Sequence, residues 1–117
     1  HWTICTSANK NLGRARIEAA GIPVPPALVT GDDVKRGKPH PDPYLLGAER
    51  LGFAPEDCVV FEDAIAGALA AEEAGVGLIV GIGPMALEGV ADIVVKDLTG
   101  ITFDGELLYI PDTNRLR

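Results

Sequence analysis

The fold turns on Val59-Val60-Phe61-Glu62-Asp63-Ala64-Ile65-Ala66-Gly67. A short apolar run ends in two adjacent acids, and a stretch of small residues follows at once. An apolar run over residues 58–61 suits a parallel strand buried on both faces. The alanine-rich stretch over residues 64–74 suits the helix that returns across the sheet. Glu62 and Asp63 then fall at the C-terminal edge of the strand, where open α/β sheets gather their ligands. Two carboxylates there need water, a cation or a hydrogen-bond donor. A plainer role is also open to Asp63, that of helix N-cap.

Upstream, residues 2–5 read as a buried strand ending at Thr6-Ser7-Ala8-Asn9. A helix over residues 10–20 follows, with Leu12, Ala15 and Ala19 on one face and Gly21 as a left-handed stop. Ile22-Pro23-Val24-Pro25-Pro26 is a rigid connector into a short strand over residues 27–30. Gly31-Asp32-Asp33 is a turn, and Val34-Lys35-Arg36-Gly37-Lys38-Pro39-His40-Pro41 is a basic, proline-punctuated loop. Asp42 suits an N-cap and Pro43 a first helical residue. That helix runs to Leu51, with Tyr44, Leu45, Ala48 and Leu51 as its apolar stripe. Downstream lie a strand over residues 77–81, a short helix over 85–88 and a strand over 92–95. Asp104-Gly105 signals a hairpin within residues 101–110, and residues 112–117 read as a frayed tail. Alternating strands and helices predict an α/β, three-layer, Rossmann-like parallel sheet with helices on both faces.

A chain of 117 residues suits one small domain, and 47% hydrophobic content supports a real core. The net charge of −7 argues against nucleic acid or an anionic membrane as the main partner. The apolar runs are far shorter than a membrane span. His1-Trp2-Thr3-Ile4-Cys5 lacks the basic start and long apolar stretch of a signal peptide. Cys5 and Cys58 read as free buried thiols, which suits a reducing, cytoplasmic setting. The chain starts without Met and is strand-like from its second residue, as expected of the later part of a longer protein.

Three polar clusters sit on three connections at the same sheet edge. Thr6-Ser7-Ala8-Asn9 brings hydroxyls and backbone N–H groups to a helix start, an anion site in outline. An ordinary Ser/Asn cap gives the same pattern. Lys38, held between Gly37 and Pro39, suits a cation that neutralises phosphate and nucleophile charge, or a solvated surface lysine. Lys35 and Arg36 read as surface charges, and His40 as structural or as a general acid or base. Glu62 and Asp63 offer the hard oxygens that Mg²⁺ prefers. Gly81-Ile82-Gly83-Pro84-Met85-Ala86 also fits a dinucleotide fingerprint. Pro84 removes a phosphate-binding N–H there, so a tight strand-to-helix loop is preferred.

Thr6-Ser7, Gly37-Lys38-Pro39-His40-Pro41-Asp42-Pro43-Tyr44 and Val60-Phe61-Glu62-Asp63-Ala64-Ile65-Ala66-Gly67 resemble the second, third and fourth motifs of the haloacid dehalogenase superfamily. The subgroup it is similar to includes beta-phosphoglucomutase, glycerol-3-phosphatase and 2-deoxyglucose-6-phosphatase, and the resemblance spans residues 2–95. It implies that residues 1–117 are the C-terminal portion of a haloacid-dehalogenase-like core. The implied activity is a Mg²⁺-dependent phosphatase that hydrolyses a small sugar or polyol phosphate through an aspartyl-phosphate. In that frame a hydroxyl of Ser7 or Thr6, Ser7 first, binds the transferring phosphoryl, with Ala8 N–H and Asn11 beside it. Lys38 bridges nucleophile and phosphoryl oxygens. Asp63 holds Mg²⁺, with Glu62 a direct or water-mediated second ligand.

The family's first motif, Asp-x-Asp-Gly-Thr/Val, does not occur in these residues, and neither does its cap domain. In the family that motif's strand lies between the strands of residues 2–5 and 58–61. The resemblance therefore implies that the missing N-terminal part of the same protein is the partner of this chain, and that the chain alone is inactive. A beta-phosphoglucomutase-like phosphomutase and a non-catalytic interaction fragment stand as alternatives. A receiver domain would need its acceptor acid at an earlier strand end.

Overall fold

The computed structural model describes every residue, His1–Arg117. A parallel three-stranded sheet in the order β1-β2-β3 forms its centre, from β1 (Val59–Glu62), β2 (Leu78–Ile82) and β3 (Ile93–Val95). Phe61 lies opposite Val80, and Val80 opposite Ile93. Helix α3 (Ile65–Ala74) makes the β1-to-β2 crossover and ends at Gly75, whose φ of 78° is left-handed. Its small side chains let it lie close on the sheet. Val60, Ala68, Ala71, Ile79, Ala86, Ala91 and Val94 form one buried cluster between them. No helix is long and apolar enough to cross a membrane.

The N-terminal half is less regular than its sequence promises. The strands expected over residues 2–5 and 27–30 shrink to a single parallel bridge, Cys5 opposite Val29. Thr6 N–H donates to Val29 O at 2.9 Å, and Val29 N–H to Ile4 O at 3.0 Å. This pair does not join the main sheet, because β1 has a strand neighbour only in β2. A cavity of about 1140 Å³ separates the two, lined by Trp2, Ile4, Val59 and Phe61 among others. The cavity explains two corrections. Trp2, expected inside, is 52% exposed. The first sheet strand starts at Val59 rather than Cys58 and is not buried on both faces. Val60 and Glu62 are buried, whereas Val59 and Phe61 are 43% and 38% exposed.

Helices α1 (Lys10–Ala19) and α2 (Asp42–Leu51) form where expected, and Gly21 and Gly52 stop them with φ of 75° and 82°. Their inner faces differ from the expected stripes. Helix α1 buries Gly13 and Ile17, not Leu12, Ala15 and Ala19. Helix α2 buries Pro43, Gly47 and Ala48 and leaves Leu45 exposed. Both dock through a glycine: a Cβ on Gly13 would lie 3.0 Å from Thr6 Cγ2, and one on Gly47 2.7 Å from Cys5 Sγ. A stripe of large apolar residues cannot report such close contacts. Asp42 is not an N-cap. Pro41 holds that position without a side-chain bond, and Asp42 pairs with Arg36 at 3.3 Å.

The C-terminal segment is ordered rather than frayed. Asn114 is buried, and its amide donates to Asp97 O at 2.8 Å and Thr99 O at 3.0 Å. Leu116 N–H donates to Val94 O at 2.7 Å, which lays the tail along β3. The expected hairpin forms from β4 (Thr102–Phe103) and β5 (Leu108–Tyr109). Asp104 Oδ1 accepts from the N–H groups of Glu106 and Leu107 inside its turn. The helix expected at residues 85–88 is a 3-10 turn, Pro84–Glu88. Gly81 serves packing, since a Cβ there would come within 2.6 Å of Ala86 Cβ.

Candidate functional site

The proline-punctuated loop carries Lys38 to the end of the cavity where β1 stops. Lys38 Nζ donates to Cys5 O at 3.1 Å and to Glu62 Oε2 at 2.9 Å. It thereby joins the Cys5–Val29 pair to β1. The side chains of Lys38 and Glu62 are only 15% and 8% exposed, so this is a buried ion pair, not a solvated surface lysine. An ammonium has three donors. Two are committed to protein acceptors, which leaves one.

Glu62 is saturated. Oε2 accepts from Lys38 and from the Tyr44 hydroxyl at 2.5 Å. Oε1 accepts from Asp63 N–H at 3.1 Å and Ala64 N–H at 3.2 Å. These donors fill the roughly four lone-pair sites of a carboxylate. Burial alone would raise its pKa, but the Tyr44 hydrogen bond and then the Lys38 contact outweigh burial and hold it below the usual range. Burial, helped by the Glu62 contact, raises the Tyr44 phenol. Burial likewise pushes the Cys5 thiol up to about 11, which leaves a neutral thiol and no nucleophile.

Asp63 has the opposite environment. It is exposed, and the N-cap position of α3 belongs to Ala64, with no side-chain capping bond. The capping role open to Asp63 in the sequence is therefore not realised. It is Glu62 Oε1 that takes the backbone N–H groups at this strand-to-helix junction. Adjacent acids at one strand end are thus sorted into a buried anchor and an uncommitted carboxylate.

Thr6, Ser7, Lys38, Glu62 and Asp63 all line the cavity, together with Tyr44. Ala8 and Asn11, expected beside the phosphoryl, do not line it. Ala8 N–H donates to Thr6 Oγ1 at 3.1 Å, and Asn11 is exposed on α1. Two of the first N–H groups of α1 are already taken. Lys10 N–H donates to Asp32 Oδ2 and Leu12 N–H to Asn9 Oδ1, both at 2.9 Å. The capping alternative thus holds for Asn9, while Ser7 is exposed at the cavity rim. His40, Lys35 and Arg36 are exposed on the loop and do not line the cavity.

For a divalent cation the donor set is partial. No cluster of three or more His, Cys, Asp or Glu side chains could hold a metal by itself. Mg²⁺ takes one or two carboxylates and keeps several waters. Asp63 fits as one such ligand. Glu62 fits only through water, because its oxygens are occupied by protein donors. Two further residues of the site close the quoted lysine and acid stretches, but the sequence gives neither a role there. Tyr44 passes for a member of an apolar stripe, and Gly67 for a packing residue of α3. A Cβ at Gly67 would overlap the Glu62 carboxylate. A tyrosine on the first turn after the lysine loop is the one cue the sequence offers for the former.

Residues 1–75 match the family model for haloacid dehalogenase-like hydrolases, a span that contains all three clusters. Hexitol phosphatase A of Escherichia coli is 55% identical over 74 residues, which is 63% of this chain and 34% of that protein. Glycerol-1-phosphate phosphohydrolase 2 of Saccharomyces cerevisiae is 37% identical over 116 residues, covering 89% of this chain and 46% of that protein. Among solved structures, a putative beta-phosphoglucomutase from Thermotoga maritima superposes with a TM-score of 0.64 at 37% identity, over 76% of this chain and 44% of that one. The chain spans between a third and a half of the length of these relatives.

Proposed function

The chain belongs to the haloacid dehalogenase-like hydrolases, and we propose that it is the C-terminal portion of the core of a Mg²⁺-dependent phosphatase for small sugar or polyol phosphates. One observation carries the reading: a buried Lys38–Glu62 pair at 2.9 Å, in a cavity that the free carboxylate of Asp63 and Ser7 also line. A cation held by a buried partner keeps its charge and position, which suits stabilisation of a phosphoryl group in transfer. The remaining N–H of Lys38 contacts a phosphoryl oxygen, and the exposed Ser7 hydroxyl contacts another. Thr6 shapes the turn through Ala8 and serves as the second choice of hydroxyl. Asp63 would contribute a ligand to Mg²⁺, which would offset the charge of the phosphate ester. Glu62, read first as a metal ligand, takes the role of anchor for Lys38.

The attacking aspartate is not among these residues. The cavity between residues 2–7 and β1 has room for a further strand, and an Asp-x-Asp strand of the same longer protein supplies the nucleophile there. Attack at phosphorus expels the sugar alcohol and forms an aspartyl-phosphate, which water then hydrolyses. The names of the phosphatase relatives support the substrate class. The similarity to a putative beta-phosphoglucomutase supports a second reading, in which a sugar hydroxyl rather than water accepts the phosphoryl. A cytoplasmic setting fits two free cysteines.

The test is a phosphatase assay with p-nitrophenyl phosphate and hexitol phosphates, with and without Mg²⁺. It is run on these 117 residues and on a reading frame extended upstream through an Asp-x-Asp segment. Turnover is expected only in the extended protein and only with the metal. Robust turnover by the 117 residues alone would sink the proposal.

A further inference from the structure

Tyr44 touches both members of the buried pair. Its hydroxyl donates to Glu62 Oε2 at 2.5 Å, and its ring centroid lies 5.1 Å from Lys38 Nζ, within cation–π range. The first turn of α2 fixes it there, through Tyr44 N–H to Pro41 O at 3.1 Å and the buried ring of Pro43 beside it. A buried phenol needs a hydrogen-bond partner. The partner it has is the one carboxylate oxygen that also binds the lysine.

This sharing constrains the ammonium. With the phenol on one side of Oε2, that oxygen has room for a single lysine proton. Cys5 O takes a second proton, and the third is left uncommitted. Without the phenol, Oε2 would hold an empty acceptor site in a poorly solvated environment, where an unfilled acceptor is costly. The third proton of Lys38, or a water, would then move towards it. We propose that Tyr44 is a positioning residue of the phosphoryl-transfer site: it occupies one side of Glu62 Oε2 and so keeps one N–H of Lys38 free for a phosphoryl oxygen. The inference rests on the phosphatase reading for its catalytic consequence, but the holding of Lys38 is a separate physical claim. The contact is worth most while charge on the phosphoryl oxygens is redistributed in transfer, so its effect is expected chiefly on kcat.

The test uses Tyr44→Phe in the upstream-extended protein, which keeps the ring face and removes only the hydroxyl. Loss of a hydrogen bond to a charged group predicts a fall in kcat of about tenfold with little change in KM. Because Tyr44 acts through Glu62, the same substitution in a Glu62→Gln background should change kcat by less than about twofold. Unchanged kcat, or an equal loss in both backgrounds, overturns the proposal. A merely structural role would lower the melting temperature without this non-additivity. The ¹⁵N resonance of the Lys38 ammonium gives a readout independent of turnover. It should be sharp in the parent protein and broadened or shifted in Tyr44→Phe, and an unaltered resonance overturns the holding role. A parent protein without phosphatase activity overturns the phosphatase reading instead, and the resonance then decides the holding role by itself.

Discussion

The α-carbon of Gly67 lies so close to Glu62 that a Cβ on it would overlap the carboxylate carbon. A helix residue five positions downstream is therefore the floor on which the buried acid rests. In an exposed helix, Gly→Ala gains up to about 1 kcal/mol. Here the added methyl meets a side chain that is pinned by four donors and cannot yield freely. Overpacking costs about 1–3 kcal/mol, so the clash should win. Gly67→Ala is expected to lower the urea midpoint, and in the upstream-extended protein to lower kcat as well. A stabilised Gly67→Ala variant would show that Glu62 is not held as described.

Removing the cation gives a second test. Lys38→Met leaves Glu62 buried but still bound by Tyr44 and two backbone N–H groups. Breaking a buried pair outright costs about 3–5 kcal/mol. With these remaining donors a loss of about 2 kcal/mol is expected in chemical denaturation. Turnover of the extended protein should fall by about 10²–10³, the size of a lost oxyanion contact. Near-normal turnover would contradict the role given to Lys38.

The two hydroxyls at the first cluster should separate cleanly. Thr6 Oγ1 accepts from Ala8 N–H, and the Thr6 methyl would lie 3.0 Å from a Cβ on Gly13. Ser7 is exposed and forms no comparable contact. Thr6→Ala should therefore cost about 1 kcal/mol of stability, while Ser7→Ala stays within about 0.5 kcal/mol. Turnover should respond in the reverse order, with the larger loss in Ser7→Ala. Paired denaturation and kinetic measurements on the two variants check both halves.

These sites differ in how legible they were. The parallel sheet was plain because β-branched residues fill Val59–Val60, Ile79–Val80 and Ile93–Val95, each followed by a turn signal. The cluster around Lys38 was plain because three unusual local patterns converge on one sheet edge. The division of labour between Glu62 and Asp63 was not, since it depends on what Tyr44 and Gly67 touch, which their places in the quoted stretches do not reveal. The half-formed N-terminal strands were also hidden. Trp2, Ile4, Val59 and Phe61 are apolar enough for an interior, but burial needs a neighbour on each side, and pairing is a property of the whole sheet. The inner face of α1, and that of α2 apart from Ala48, is hidden for a related reason: Gly13 and Gly47 contribute closeness rather than apolar area.

The last prediction concerns pH. Asp33 Oδ2 accepts from Thr30 N–H at 2.8 Å and Thr30 Oγ1 at 3.0 Å, and lies 3.4 Å from Arg50 Nη1. The backbone bond from Thr30 first, then the hydroxyl and the guanidinium, hold the Asp33 carboxyl below its usual range. The folded pKa is therefore lower than the unfolded one, which is about 3.9. As pH falls, the unfolded chain takes up the proton first. The stabilisation is then fully present above about pH 4 and is lost as the pH drops through the folded value. An exposed pair is screened, so the amount is on the order of 0.5 kcal/mol. Asp33→Asn keeps an acceptor for Thr30 but has nothing to titrate. The variant should be less stable than the parent at pH 7, and the gap should narrow as the pH falls below about 4. Every other carboxylate titrates in both proteins and cancels in the difference. Urea denaturation across that range measures it, and a gap that stays constant with pH would show that the charge on Asp33 contributes nothing to stability.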